Sequence, residues 1–126
     1  MLRTMHHVAI IASDYEKTKH FYASILELPI IQEVYREEKE SYKCDLKIGN
    51  SQIELFSFPN PPERVNNPEA RGLRHVCFGV DNIDQAVQWL KNKEVVCEEI
   101  RTDPVTGQKF TFFKDPDALP IELYEL

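Results

Sequence analysis

A displacement of 68 residues lays the second half of the chain over the first. His7 falls on His75, each followed by valine, so that HHVAI lies over RHVCF. SDYE at 13–16 lies over DNID at 81–84, and Phe21-Tyr22 lies over Trp89-Leu90. The IEL at 53–55 lies over the IEL at 121–123, with Phe56 over Tyr124. Each histidine is therefore followed, 47 positions later, by a glutamate, Glu54 or Glu122. A repeat that carries strand, helix-start and strand signals in one register means one supersecondary unit used twice.

The local signals give that unit its order. Residues 5–12 alternate and are β-branched, which predicts a strand. Ser13 and Glu16 have the spacing of a capping box and predict a helix to about Leu28. Tyr15, Thr18, Phe21 or Tyr22, and Ile25 share its apolar face. Strands are expected near 30–36, 42–48 and 51–58, divided by the charged turn Glu37–Glu40 and by Gly49-Asn50. The second half predicts a strand at 73–80, a helix at about 82–93 capped by Asp81, and strands near 95–101, 108–114 and 119–125. The stretch PNPPERVNNPEARG at 59–72 holds four prolines and reads as a linker. The expected architecture is α+β: one domain over 1–126, with βαβββ modules at 4–58 and 73–126 joined by 59–72.

Alternation along the strands sorts the polar groups. His7, Ala9 and Ile11 share one face, and His6, Val8 and Ile10 the other. Two adjacent strand histidines point to opposite sides, so His6 is assigned a structural or surface role. Glu54 shares a face with Phe56 and Phe58, His75 with Cys77, and Glu122 with Tyr124. The opposite faces are apolar and pack on the helices. Four ionisable groups on inward faces are costly unless paired or bound, and a divalent metal would satisfy all four. His7, Glu54, His75 and Glu122 are thus the candidate ligands. Ala9, Ile11, Phe56, Phe58, Cys77 and Tyr124 are the candidate pocket lining.

With these residues in place, the chain resembles the vicinal oxygen chelate superfamily. Within it, the chain is most similar to the small glyoxalase I (lactoylglutathione lyase) proteins, from His7 to the closing DPDALPIELYEL. The resemblance implies a curved mixed sheet around a metal site and one divalent ion per site (Ni, Zn, Co, Mn or Fe(II)), with no organic cofactor. It implies His7, Glu54, His75 and Glu122 as ligands, a set matching glyoxalase I, with Glu54 or Glu122 as the base. Epimerase-like members usually carry glutamine where Glu54 stands. The activity implied is a metal-dependent lyase or isomerase acting through an enediolate on a small α-oxo-aldehyde adduct or α-hydroxycarbonyl compound. Two glutathione anchors of the short bacterial-type enzymes are apolar here, Ile11 and Phe58, which points away from glutathione. The turn usually written Asp-Pro-Asp-Gly ends in Ala118. The alternatives are a non-catalytic small-molecule binding or resistance protein of the same superfamily and, more remotely, an extradiol-type dioxygenase.

A net charge of −6 argues against nonspecific contact with nucleic acid or anionic membrane. No apolar run reaches membrane-spanning length, and no signal-peptide core opens the chain. Cys44, Cys77 and Cys97 form no even framework and read as reduced thiols. The expectation is a cytoplasmic homodimer with a small-molecule substrate and neither nucleic-acid nor membrane partner. Arg36, Arg64, Arg71 and Arg74 are available for an anion, but the sequence aims none of them.

Overall fold

The computed structural model describes residues 1–126, which form two compact units, Met1–Glu63 and Arg64–Leu126. In the first, strand β1 (His7–Ala12) leads into helix α1 (Tyr15–His20), followed by β2 (Ile30–Arg36), β3 (Ser41–Ile48) and β4 (Ser51–Ser57). The second runs β5 (Val76–Val80), α2 (Ile83–Lys91), β6 (Arg101–Thr102), β7 (Lys109–Lys114) and β8 (Pro120–Glu125). The sheets have the orders β1-β4-β3-β2 and β5-β8-β7-β6. In both, the first and last strands pair in parallel and the other neighbours antiparallel. The parallel pair requires a crossover, which the helix provides. The α+β architecture of two βαβββ modules is the one expected.

The repeat holds at single-residue precision in the strands that matter. Ala9 pairs with Glu54 across β1 and β4, and Cys77 with Glu122 across β5 and β8. These are the same two positions displaced by 68. Burial follows the predicted faces. Ile10, Ala12, Ile53 and Leu55 are buried, as are Tyr15, Phe21 and Tyr22 from the helical segment that packs on β4. In the second unit Ile121, Leu123 and Phe113 are buried with Ile83 and Leu90 of α2. Each such large side chain contributes roughly 1.5–3 kcal/mol when fully withdrawn from water.

Several expectations are corrected. The cap of α1 is Asp14, whose carboxylate accepts from the Lys17 N–H at 3.1 Å, rather than Ser13. The cap of α2 is Asn82, accepting from the Gln85 N–H at 2.9 Å, rather than Asp81. Asp and Asn are strong caps, and both helices therefore start one residue later, again 68 apart. The first helix changes at Phe21 into a π-helical turn, Phe21–Ile25, with the Leu26 N–H reaching the Phe21 carbonyl. The wider turn lets two adjacent aromatics, Phe21 and Tyr22, both face the core.

The predicted strand at 95–101 shrinks to Arg101–Thr102. VVCEEI pairs like with like rather than alternating, and Val96 is left in solvent. The segment is still tethered to β7, because the Glu98 N–H donates to the Phe112 carbonyl at 2.8 Å. The strand expected from 73 begins at Val76, because the Leu73 and Arg74 carbonyls accept from the Arg64 guanidinium (3.1 and 2.8 Å) instead of a neighbouring strand. Part of the linker is thereby built into the second unit, where Asn66 also donates to the Ala118 carbonyl at 2.7 Å.

Candidate metal centre

In the first unit, β1 carries His7 on the face away from α1, and β4 carries Glu54 opposite Ala9, so the two side chains meet diagonally. His7 Nδ1 lies 3.3 Å from Glu54 Oε2. Glu54 is only 7% exposed, so its carboxylate needs partners. Gln52, two residues earlier on the same face of β4, donates to Oε2 at 2.8 Å. Lys43 of β3 lies 3.5 Å from the other oxygen and also donates to Asp45 at 2.7 Å. Asp45 pairs directly with Glu54 across the sheet and is itself buried. The Asp45 carboxylate, with Glu54 adding to it, holds the Lys43 ammonium above the usual lysine range, so it is charged at neutral pH.

His6 stands where alternation did not put it. Its ring Nδ1 is 2.9 Å from that of His7, and one donor atom each from His6, His7 and Glu54 lie within 4.8 Å of one another. β1 begins at His7, so the strand's alternation does not govern the side chain of His6.

The second unit repeats the pair with different surroundings. His75 Nε2 lies 3.1 Å from Glu122 Oε1. Its other ring nitrogen faces the Arg74 guanidinium at 3.4 Å. Where Glu54 faces Asp45 and Lys43, Glu122 faces Phe112 of β7, whose ring stands edge-on to His75 with centroids 5.1 Å apart. Cys77 is the parallel partner of Glu122. Although Cys77 is exposed, desolvation of its sulfur by the surrounding strands, then the Glu122 charge, pushes the thiol up to about 12, so it stays a neutral S–H beside the carboxylate.

The proposed lining residues divide. Ala9 and Ile11 are exposed on the His7 face. Phe56 and Phe58 stack with centroids 6.0 Å apart, and the Arg36 guanidinium lies over both rings at 4.9 and 5.8 Å. Tyr124 turns its hydroxyl to the Asp103 carboxylate at 3.1 Å and to Thr106, tying β8 to the loop before β7. A cleft of about 230 Å³ in the second unit is lined by Arg64, Arg74, Arg101, Lys114 and Phe112. Arg101, absent from the sequence-derived set, lies over the rings of Phe110 and Phe112 at 5.0 and 5.6 Å.

The sequence model of the Glyoxalase/Bleomycin resistance protein/Dioxygenase superfamily matches residues 4–123. The chain belongs to this superfamily. YwkD of Bacillus subtilis, an uncharacterised protein, is 60% identical over 99% of this chain and 98% of its own length. The crystal structure of a glyoxalase family protein from Enterococcus faecalis superposes with a TM-score of 0.92 at 44% identity, covering 98% of each chain. Human mitochondrial methylmalonyl-CoA epimerase is 32% identical over 79% of this chain and 60% of its own length.

Members of the Glyoxalase/Bleomycin resistance protein/Dioxygenase superfamily generally bind a divalent metal. The donor set here fits one. Ligands about 2.1 Å from an ion in adjacent octahedral positions stand about 3 Å apart, and both histidine–glutamate pairs approach that spacing. Sequence reasoning missed Lys43, Asp45, Gln52, Phe112 and Arg101. For Gln52 the available signal was its place two residues before Glu54 on the same strand; for Lys43, Asp45 and Phe112 it was alternation on the strand beside each glutamate.

Proposed function

We propose that the chain is a metal-dependent lyase or isomerase that moves a proton at a carbon next to a carbonyl. The observation that carries this is the pair of histidine–glutamate contacts, 3.3 and 3.1 Å, at equivalent register positions of two modules. His7, Glu54, His75 and Glu122 would hold one divalent ion, with the two pairs supplied by one chain or by two. Such an ion would supply Lewis-acid polarisation of the substrate's carbonyl oxygen. A glutamate takes the proton from the neighbouring carbon, and the enediolate receives it back at the adjacent position. The substrate is a small α-oxo-aldehyde adduct or α-hydroxycarbonyl compound. Ile11 and Phe58 offer no polar anchor for glutathione, whereas the cleft of Arg64, Arg74, Arg101 and Lys114, in which Glu69 pairs with Arg74 and Glu98 with Arg101, keeps an excess of positive charge that suits a substrate with an anionic end.

The similarity to a methylmalonyl-CoA epimerase favours, as a second reading, a coenzyme A-linked substrate that loses its α-proton in the same way and takes a proton back at the same carbon from the opposite face. The test is exchange of the substrate's α-proton in heavy water. Apoprotein would be reconstituted with Ni, Zn, Co or Mn and offered methylglyoxal with several thiols, or 2-substituted acyl-CoA thioesters. Exchange dependent on Glu122 supports the reading. Protein that gives no exchange with any metal would instead be a non-catalytic binder.

A further inference from the structure

We infer that His6 is a third ligand of the first module, which thereby holds a divalent ion by itself through His6, His7 and Glu54. The inference rests on the four-ligand reading above for His7 and Glu54, and goes beyond it in the number and origin of the ligands. Its basis is the position of one atom. His7 Nδ1 lies 2.9 Å from His6 Nδ1 and 3.3 Å from Glu54 Oε2. One ring nitrogen carries either one proton or one lone pair, so it makes one well-directed hydrogen bond and cannot serve both neighbours equally. Three donors around one ion satisfy all of them, and separations near 3 Å are those of adjacent octahedral sites. Two imidazoles and one carboxylate, all within 4.8 Å of one another, take at most three positions of an octahedral ion and leave the others for the second pair and for substrate oxygens.

The backbone has fixed His6 for this. The Gln52 N–H and the Ser51 hydroxyl both donate to its carbonyl, at 3.1 and 3.2 Å. Ser51 also reaches the Met5 carbonyl at 3.1 Å. The same two residues of β4 thus anchor the chain at His6 and, through the Gln52 amide, hold Glu54. Arg74 occupies the repeat position of His6, so the second module offers only two ligands, His75 and Glu122. The two halves are unequal: the first captures the ion and the second completes the shell.

The test is Co(II) binding to the full-length apoprotein, read by the d–d absorption band and by competition with a chromophoric chelator. His6 is exposed, so His6→Ala is expected to leave the fold intact, with circular dichroism as the check. Wild type should bind one equivalent. His6→Ala should weaken binding by about tenfold or more and alter the d–d band, since a ligand is lost rather than a neighbour. In a His75→Ala, Glu122→Gln background, one equivalent should still bind when His6 is present and be lost when it is replaced. Unchanged affinity and spectrum for His6→Ala in both backgrounds would overturn the inference and leave the four-ligand reading standing. Binding indifferent to His75 and Glu122 but dependent on His6 would do the reverse. Wild-type protein that takes up no Co(II) or Zn(II) would overturn both.

Discussion

Glu54 and Glu122 occupy the same place in their modules, yet one sits among an ammonium, an amide and a second carboxylate, and the other against a phenyl ring and a thiol. Asp45 is nearly buried, and its replacement by Asn would leave the Lys43 charge without its closest partner. Asp45→Asn should therefore cost about 1–2 kcal/mol in urea unfolding, between the values of exposed and buried pairs. Outside the site, Glu33 accepts from Tyr15 and from Lys19 at 2.9 Å, and these bonds, Tyr15 first, hold its carboxyl below the ordinary value of 4.5. A depressed folded-state pKa stabilises above the unfolded value and ceases to do so as pH falls through the folded one. Unfolding of wild type and Glu33→Gln should differ at neutral pH, and the difference should shrink below about pH 4.5. In the cleft, Arg101→Ala should raise KM for an anionic substrate by about tenfold with kcat little changed, as for a group that binds ground and transition states alike.

At the scale of elements, Ala118 stands at φ +65° in the turn between β7 and β8, a conformation unfavourable for a side chain with a Cβ. The turn is held by the Asp115 carboxylate, which accepts from the Asp117 and Leu119 N–H groups at 2.8 and 2.9 Å. Ala118→Gly should stabilise by about 1 kcal/mol, relief of strain exceeding the added freedom of the unfolded chain, as a thermal melt would read. Element order was legible in the sequence because the repeat let each half corroborate the other. Positions where local chemistry competes with periodicity were not legible. Asp14 outranked Ser13 as a cap, the adjacent Phe21 and Tyr22 drew the helix into a π turn, and the Arg64 guanidinium took the carbonyls that β5 would have used. The contacts of His7 with Glu54 and of His75 with Glu122 were legible because copying marked those residues. Lys43, Asp45 and Phe112 were not marked in this way, because the two modules differ there, and only alternation on the strands beside the glutamates pointed to them.

For the whole molecule, no helix is long and apolar enough to cross a membrane. The β2 strand leaves Ile31 and Tyr35 more than half exposed, an apolar edge that a second copy would cover. Light scattering should return about twice the 14.7 kDa chain mass, and a Tyr35→Lys, Ile31→Lys variant about one. Metal at about 100 times its Kd should stabilise the folded form by about 2.7 kcal/mol, so chelation should lower Tm measurably. The two hairpins carry a last consequence. β3 and β4 are joined by the two residues Gly49-Asn50, whereas β7 and β8 are joined by five, 115–119. The longer connection slips β7 by one place relative to the repeat, so Phe112, rather than residue 113, comes opposite Glu122. Sliding a strand by one residue exchanges its two faces. Residue 113 is also phenylalanine, so either register would set a phenyl ring against Glu122, and loop length decides only which of the two rings faces the site and which, as Phe113 does here, goes into the core.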